Sequence, residues 1–409
     1  MNRPTLCEEL QAEILSWLRV KTLLRFKCVS KSFHSLISDP WFVKLHLQRS
    51  PRGVDLLLEY LEDDNNLESR FLVPCHIGSL SDNHKATVAH DRTLGFDISG
   101  YGVIGSCNGL VCMAGRCKKD ERCMFCVWNP ATRETLEDLK CSFPIPSGHH
   151  PRRKVAFGYD DLSHAYKVVL MLDALDLNRR SIYRDVKVCN VGGNSCWRSV
   201  ESFPAKTTMQ GSGWGVYLNS TLNWVGLDLH DNHPHDSYIT FDESVIVSLD
   251  LRNEKSSQFM LPQALHGICM NGICMRGSHS LGYDWDFHDC LGVLKDCLTV
   301  FFHDHNKRHI SIWQMRDFGN HKSWSLSLNI AMQDLQIVSM PRPYLHPLIM
   351  LEENEVLFIE GTYKRIRRVI YDRSGNIVEH PQIHCNIFGI YPMTYVQSLV
   401  SQKSLGLCV

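Results

Sequence analysis

The chain has 409 residues and a mass of 46.9 kDa, with 44% hydrophobic and 21% charged residues, and its formal net charge is −1. This composition is ordinary for a globular protein with one large domain beside a small module, and it excludes a global attraction to nucleic acid or to an anionic membrane. No apolar run reaches membrane-spanning length, and we expect no secretory signal. The 17 cysteines follow no disulfide spacing, so we expect reduced thiols and a cytoplasmic or nuclear location.

Residues 1–50 predict a run of four short helices. The apolar pattern holds more hydrophobic surface than so short a segment can bury by itself, so a partner is expected to cover part of it. Thr5 and Glu8 are expected to form a capping box, and the apolar stripe that follows has a residue at every fourth position: Leu10, Ile14 and Leu18. Two further N-terminal caps are predicted, at Ser30 and at Asp39 before Pro40.

This helical segment resembles the F-box. The resemblance implies docking on a Skp-type adaptor and, through it, on a cullin. The adaptor-binding residues that it implies are Leu6, Cys7, Leu10, Ile14, Leu18, Val20, Leu23, Leu24, Val29 and Phe33. Cys7 and Arg19 stand where the family usually has proline, and loss of proline removes a fixed φ angle. We therefore expect a more flexible unbound motif and weaker, but not abolished, adaptor binding.

After residue 50, short runs of β-branched and aromatic residues alternate with polar turns. A strand–turn–strand pattern recurs about every 60 residues. This spacing is measured between equivalent positions of the pattern: Trp128, Cys189, Leu249, Trp313 and Tyr371. Repeated small sheets predict a β-propeller, in which each blade is covered by its neighbours. We favour six blades, with five or seven as alternatives.

The predicted chain organisation is mostly β with a small α module. It comprises a helical domain at 1–50, a connecting segment with the first strands at 51–100, the propeller-like domain at 101–400 and a tail at 401–409. Strands within 54–59 and 395–400 are expected to meet and close the ring.

The β-rich part resembles the plant F-box associated domain of the kelch-like type. The motifs that carry the resemblance are residues 105–112, 128–133, 157–160 with 166–169, 222–224, 294–298 and 312–315. Physically, Trp128 is expected to pack between blades, Asn129-Pro130 to start a turn, and Asn108-Gly109 to supply left-handed turn conformations. These motifs predict architecture and carry no catalytic role.

Three patterns have alternative interpretations as cofactor or metal sites. Residues 100–105 spell a dinucleotide fingerprint, but more strand follows where that site needs a helix. Cys123 and Cys126 have zinc-knuckle spacing, but residues three apart on a strand point to opposite faces. His230, Asp231, His233, His235 and Asp236 fall in a predicted polar loop, as do His303, Asp304, His305 and His309. We expect no cofactor and no metal.

The two resemblances imply a non-catalytic substrate-recognition subunit of a Skp–cullin–F-box ubiquitin ligase. The target is expected on loops 228–236, 277–289 and 302–309, with His230, His233, Tyr283, Trp285, Phe287 and His305 as candidate contacts. One alternative is a propeller-based protein-binding module without ligase activity. Another is a propeller enzyme, which would need convergent acids or a metal site that the repeats do not display.

Overall fold

The computed structural model describes most of the chain. The described residues are 7–49, 55–64, 67–76, 95–116, 122–141, 152–176, 181–192, 196–201, 203–204, 207–209, 214–228, 244–265, 291–304, 308–331, 333, 344–350, 356–362, 365–371, 377–379 and 387–405.

The helical module contains α1 (Glu8–Leu15), α2 (Val20–Lys27), α3 (Lys31–Ser38) and α4 (Pro40–Arg49). Two predicted caps are confirmed, since Ser30 Oγ accepts from the Phe33 N–H at 3.1 Å and Asp39 Oδ1 accepts from the Trp41 N–H at 2.8 Å. The capping box at Thr5 is wrong: α1 starts at Glu8, with Cys7 at the N-cap and no side-chain cap. Glu8 lies in the first turn, where the helix dipole favours a carboxylate.

In the part of the chain that the structure describes, six antiparallel sheets follow, and each is one blade. In chain order the strands are β1 (Asp55–Asp64), β2 (Leu67–His76), β3 (Phe96–Asp97), β4 (Tyr101–Cys107), β5 (Leu110–Arg116), β6 (Cys123–Asn129), β7 (Glu134–Cys141), β8 (Arg152–Asp160), β9 (Ala165–Asp176), β10 (Ser181–Val191), β11 (Arg198–Ser199), β12 (Thr207–Met209), β13 (Val216–Leu218), β14 (Thr221–Asp228), β15 (Ser244–Asp250), β16 (Ser256–Met260), β17 (Leu291–Leu294), β18 (Cys297–Asp304), β19 (His309–Met315), β20 (Trp324–Ala331), β21 (Tyr344–Met350), β22 (Val356–Thr362), β23 (Arg365–Tyr371), β24 (Ile377–Glu379) and β25 (Ile387–Tyr395). Short 3₁₀ turns span Gln263–Leu265 and His321–Ser323, and a helix, α5 (Gln402–Leu405), ends the described chain.

Blade 1 has the order β25–β1–β2–β3, and blades 2 and 3 consist of β4 to β7 and β8 to β11 in sequence order. In blade 4, β12 and β13 both pair with β14, so they form one interrupted inner strand ahead of β14, β15 and β16. Blades 5 and 6 contain β17 to β20 and β21 to β24. The inner strands contact one another around a full circle, in the order β25, β4, β8, β13, β17, β21 and back to β25. The chain therefore folds as a closed six-bladed propeller.

The ring is closed by pairing between the two ends of the β-rich region. Asp55 of β1 lies opposite Tyr395 of β25, and Leu58 lies opposite Ile390. The expected partner of the first strand, residues 395–400, is wrong except at Tyr395. Residues 396–400 are not a strand, and the Asn129 Nδ2 amide instead donates to the carbonyl oxygens of Ser398 at 3.0 Å and Val400 at 2.8 Å.

Trp128 packs between blades, as the sequence predicts. Its side chain is buried against Leu57 and Leu72 of blade 1, and its ring centroid lies 5.1 Å from that of Phe96. A large aromatic surface at this junction ties the first blade to the second across the closure point.

The helical module rests against blades 2 and 3. Its buried residues, including Leu15 and Phe42, belong to one continuous apolar cluster with Ile104 of β4 and Phe157 of β8. Lys44 Nζ of α4 lies 3.2 Å from His164 Nε2, in the turn between β8 and β9. Among the described residues, no helix has the length and apolar character that crossing a bilayer requires.

Candidate functional site: an exposed apolar surface on the helices

Helix α1 has an apolar residue on both of its faces. Ala12 and Leu15 are buried in the module, whereas Leu10 and Ile14 are 53% and 56% exposed. Trp17, in the turn that follows α1, is 59% exposed. Positions i and i+4 share one side of a helix, so Leu10 and Ile14 form a stripe that faces away from the core, and Trp17 follows it in the next turn.

Val29 and Trp41 are also largely exposed, at the end of α2 and in the first turn of α4. We call Leu10, Ile14, Trp17, Val29 and Trp41 the apolar helical surface. Large apolar side chains on so small a module, left in contact with water, are characteristic of a protein-binding site.

The edge of this surface is ordered by Arg49 of α4. Its guanidinium forms an ion pair with Glu13 and lies 5.9 Å from the centre of the Trp17 ring. Arg49 also donates to Ser16 Oγ at 3.3 Å. The end of α4 therefore holds the end of α1, and the turn that carries Trp17 is supported by the contacts of Arg49.

The predicted adaptor-binding residues separate into three groups. Leu10, Ile14, Val29 and Cys7 are exposed and available to a partner. Leu18, Leu24 and Phe33 are half-buried and pack on the apolar cluster. Val20 and Leu23 are fully buried, so in this structure they support the module from inside, and Leu6 lies outside the described residues.

Sequence reasoning missed Trp17 and Trp41 as members of the exposed surface. The spacing of Leu10, Ile14 and Trp17 could have identified the first of them. Nothing in the local pattern distinguishes exposed Trp41 from buried Phe42 beside it, because that difference depends on how α4 packs.

His46 of α4 stabilises the module from beneath this surface. Its ring is fully buried, Nε2 lies 2.8 Å from the Leu18 carbonyl oxygen, and Nδ1 has no hydrogen-bond partner. Burial lowers the pKa of His46 and outweighs the opposite effect of the Leu18 carbonyl. The neutral ring, with its proton on Nε2, joins α4 to the segment between α1 and α2.

The propeller has two faces with different connections. Antiparallel strands reverse at each turn, so the hairpins between the first and second and between the third and fourth strands of a blade share one face. We call this the hairpin face; its turns include residues 108–109, 130–133, 161–164, 219–220, 251–255 and 295–296. The helical module touches the hairpin face through His164, and the C-terminal segment crosses it at Asn129.

The opposite face carries the connections between second and third strands and between blades, and we call it the loop face. The three predicted target loops join strand ends on this face: β14 to β15, β16 to β17, and β18 to β19. They are consecutive around blades 4 and 5. The prediction of a loop over 302–309 is wrong at both ends, because residues 302–304 belong to β18 and His309 begins β19. The candidate contacts His230, His233, Tyr283, Trp285, Phe287 and His305 themselves lie outside the described residues.

Where the structure describes the patterns that resemble cofactor or metal sites, nearly all of their residues lie in strands, whereas residues 230–236 and His305 lie outside the described residues. Residues 101–107 form β4, which leads through an Asn108-Gly109 turn with positive φ at both residues into another strand, β5. Cys123 and Cys126 are buried in different apolar clusters, on opposite faces of β6. Burial raises the pKa of the Cys112 thiol well above its ordinary value, and that of Cys141 to about 11. A protonated thiol is a poor metal ligand.

Comparison with known families agrees with this two-part organisation. Residues 4–45 match the F-box domain, and residues 78–402 match the F-box associated beta propeller domain. Among solved structures, the chain is similar to the beta-propeller domain of the trilobed protease from Pyrococcus furiosus, with a TM-score of 0.37 and 8% identity over 79% of this chain and 77% of that one.

Two Arabidopsis thaliana proteins illustrate the relatives. An F-box/kelch-repeat protein is 30% identical over 336 residues, which cover 79% of this chain and 78% of the relative. The F-box protein CPR1 is 26% identical over 363 residues, which cover 85% of this chain and 78% of that protein. With the helical module at its front and the closed propeller behind it, the chain belongs to the family of F-box proteins that carry an F-box associated β-propeller domain.

Proposed function

We propose that this protein is the substrate-recognition subunit of a Skp–cullin–F-box ubiquitin ligase. The observation that carries the proposal is the outward side of α1 and of the turn after it. Leu10, Ile14 and Trp17 are exposed there, although Ala12 and Leu15 of the same segment are buried in the apolar cluster. A Skp-type adaptor is the partner that an F-box module implies, and it would bring the cullin with it.

The position of the module supports simultaneous binding of adaptor and target. The helices sit on the hairpin face, whereas the predicted target loops join strands on the loop face. An adaptor on one side therefore leaves the other side free for a target protein. The contribution of this chain is tethering, which raises the concentration of target lysines near the ubiquitin-charged enzyme, and no side chain of this chain needs to react.

Adaptor binding tests the proposal directly. The variant Leu10→Asp/Ile14→Asp replaces two exposed side chains, so its fold is retained, but each change removes about 1.5–3 kcal/mol of apolar burial from the interface. We expect the Kd of the full chain for a purified Skp-type adaptor to rise by at least about 10²-fold, measured by isothermal titration calorimetry.

Leu326→Asp is the matched control, because Leu326 is similarly exposed but lies on β20 of blade 5. Its Kd is expected to equal that of the unmodified chain. If the unmodified chain does not bind the adaptor, or if the double variant binds equally well, the ligase proposal is wrong. A binding module without ligase docking would then be the better description.

A further inference from the structure

Leu162 is an exposed leucine at the tip of the β8–β9 hairpin in blade 3. It is 75% exposed, more than any residue of the apolar helical surface. The turn is held by Asp160, whose Oδ1 accepts from the Leu162 N–H at 2.9 Å and the Ser163 N–H at 3.2 Å. Asp160 Oδ2 also accepts from Ser163 Oγ at 2.6 Å. Of Leu162, only the backbone N–H takes part in these bonds, so the turn does not depend on the leucine side chain, which is exposed to solvent.

The same turn touches the F-box module. His164, two residues after Leu162, contacts Lys44 Nζ through Nε2 and the Tyr159 hydroxyl through Nδ1, each at 3.2 Å. Lys44 lies three residues after Trp41 on α4, so the two side chains are neighbours on one side of the helix. Trp41 and Leu162 thus flank one joint between module and propeller.

We propose that the adaptor-binding surface continues from Trp41 across this joint to Leu162, so that the Skp-type adaptor contacts the propeller as well as the helices. The inference rests on the proposed function and extends the same site. Continuity with the apolar helical surface identifies the adaptor as the occupant. A target is disfavoured because Leu162 lies on the hairpin face, away from the strand ends that carry the predicted target loops.

A composite surface has a mechanical consequence. The adaptor would bridge the helices and blade 3, and it would reinforce the Lys44–His164 contact from outside. The propeller would then be held at one orientation relative to the ligase, and the loop face would point in a constant direction.

The test uses the full chain and a purified recombinant Skp-type adaptor, with Kd measured by calorimetry. Leu162→Ser is expected to raise the Kd about 3- to 30-fold, which corresponds to partial loss of one buried leucine. Leu162→Met keeps an apolar side chain of similar volume and should bind like the unmodified chain. Leu326→Ser, the same substitution at an exposed leucine of blade 5, should leave the Kd unchanged.

The outcomes separate this inference from the function on which it rests. If the unmodified chain binds the adaptor and Leu162→Ser binds equally well, the composite surface is refuted while the ligase proposal stands. If Leu162→Ser impairs capture of a target protein but not of the adaptor, Leu162 contacts the target, and its assignment to the adaptor surface is wrong. If the unmodified chain binds no adaptor, the proposed function itself fails.

Discussion

Cys7 and Arg19 occupy the two positions where the F-box family usually has proline, and both already have the backbone angle that proline would impose. Their φ values are −64° and −63°, and proline fixes φ near −65°. Each residue directly precedes a helix, and its carbonyl oxygen accepts a hydrogen bond from the first turn. The Cys7 carbonyl accepts from the Gln11 N–H, and the Arg19 carbonyl accepts from the Thr22 N–H. The folded backbone therefore has the angle that proline would have. Compared with proline, Cys7 and Arg19 leave the unfolded chain with more conformational freedom.

Restoring proline should stabilise the module. We expect Cys7→Pro and Arg19→Pro each to add about 0.4–1 kcal/mol, because the native angle is retained while the unfolded state loses conformational freedom. Native-state hydrogen exchange of residues 11–15 and 22–27 measures the gain as slower opening. Ser30→Pro is the control: Ser30 is also an N-cap, but its φ of −152° is closed to proline, and its hydroxyl bond to Phe33 is lost. Unchanged protection in Arg19→Pro would contradict the argument.

His46 should make the module sensitive to acid. Its pKa in the fold is lowered from the ordinary 6.5 mainly by burial. Stability that depends on the neutral ring is therefore complete above about pH 6.5 and is lost as the pH falls through the lowered value. Protonation would place a second N–H, at Nδ1, in a site with no acceptor. Of the charged groups on the same helix, Arg49 pairs with Glu13 of α1, and Lys44 contacts His164 of blade 3.

We expect exchange of the α4 amides, corrected for intrinsic rates, to become faster between pH 7.5 and 5.5. His46→Gln retains an N–H donor for the Leu18 carbonyl and does not titrate, so its protection should be independent of pH in this range. Identical pH profiles for the two proteins would show that His46 is not the responsible group.

Single-residue burial is where sequence reasoning reached its limit. Val20, Leu23 and Val29 have the same apolar character and all fit the F-box pattern, yet the first two are buried and Val29 is 69% exposed. The difference is set by where α2 ends and how it packs on α3: Val20 and Leu23 lie in the packed helix, whereas Val29 lies beyond its C-cap Cys28. By contrast, the caps at Ser30 and Asp39 depend only on neighbouring residues, and both were predictable.

At the scale of elements, blades 3 and 4 are joined by a buried lysine, which forms an ion pair within blade 3 and contacts the turn after β15 in blade 4. Lys167 Nζ of β9 lies 2.9 Å from Asp160 Oδ2 and donates to the Leu251 carbonyl at 2.6 Å in the turn after β15. Glu254 Oε1, 3.3 Å away, also pairs with Arg198 of β11. The sequence marks Lys167 only as part of a strand motif, since its partners lie up to 87 residues away.

Removing this lysine should loosen the junction. Lys167→Met leaves the buried Asp160 carboxylate without its cation and the Leu251 carbonyl without its donor, so we expect a loss of about 3–5 kcal/mol. Urea unfolding of the full chain, followed by tryptophan fluorescence, measures the shift in midpoint. Lys187→Met is the control, because its 3.7 Å pair with Asp185 is partly exposed and should contribute less than about 1 kcal/mol. If the two variants lose the same free energy of unfolding, the buried ion pair contributes no more to stability than the partly exposed one.

For the whole molecule, closure of the ring involves more than the pairing of β25 with β1. After Tyr395 the chain crosses the hairpin face, where Asn129 of blade 2 binds two of its carbonyl oxygens, and α5 then packs beside β7 and near Gly192. The position of Gly109 has a related reason: a Cβ there would collide with the Val396 carbonyl and the Ser398 side chain. The repeat favoured six blades but left five or seven open, and the strand-like end segments predicted closure by the first strand. The second attachment could not be predicted, since it joins residues about 270 apart.

Asn129 has a double role that one substitution can separate. Its Oδ1 accepts from the Ala131 and Thr132 N–H groups and shapes the predicted turn, while its Nδ2 donates to the tail. Asn129→Asp keeps the acceptor for the turn but replaces the donor with a carboxylate oxygen facing two buried carbonyls. Each carbonyl left without a donor costs about 1–3 kcal/mol, so we expect a loss of about 2–4 kcal/mol.

The loss should appear first at the tail, as faster exchange and earlier proteolytic cleavage within 396–405, while the amides of β1 opposite β25 stay protected. Asn320→Asp is the matched control, because Asn320 also caps a turn through Oδ1 but is exposed. Its variant loses only an exposed bond from Nδ2 to Asp317, so the tail and β1 should exchange as in the unmodified chain. If β1 and the tail lose protection together in Asn129→Asp, the two attachments form one cooperative closure. If neither changes, the tail is held by α5 and not by Asn129.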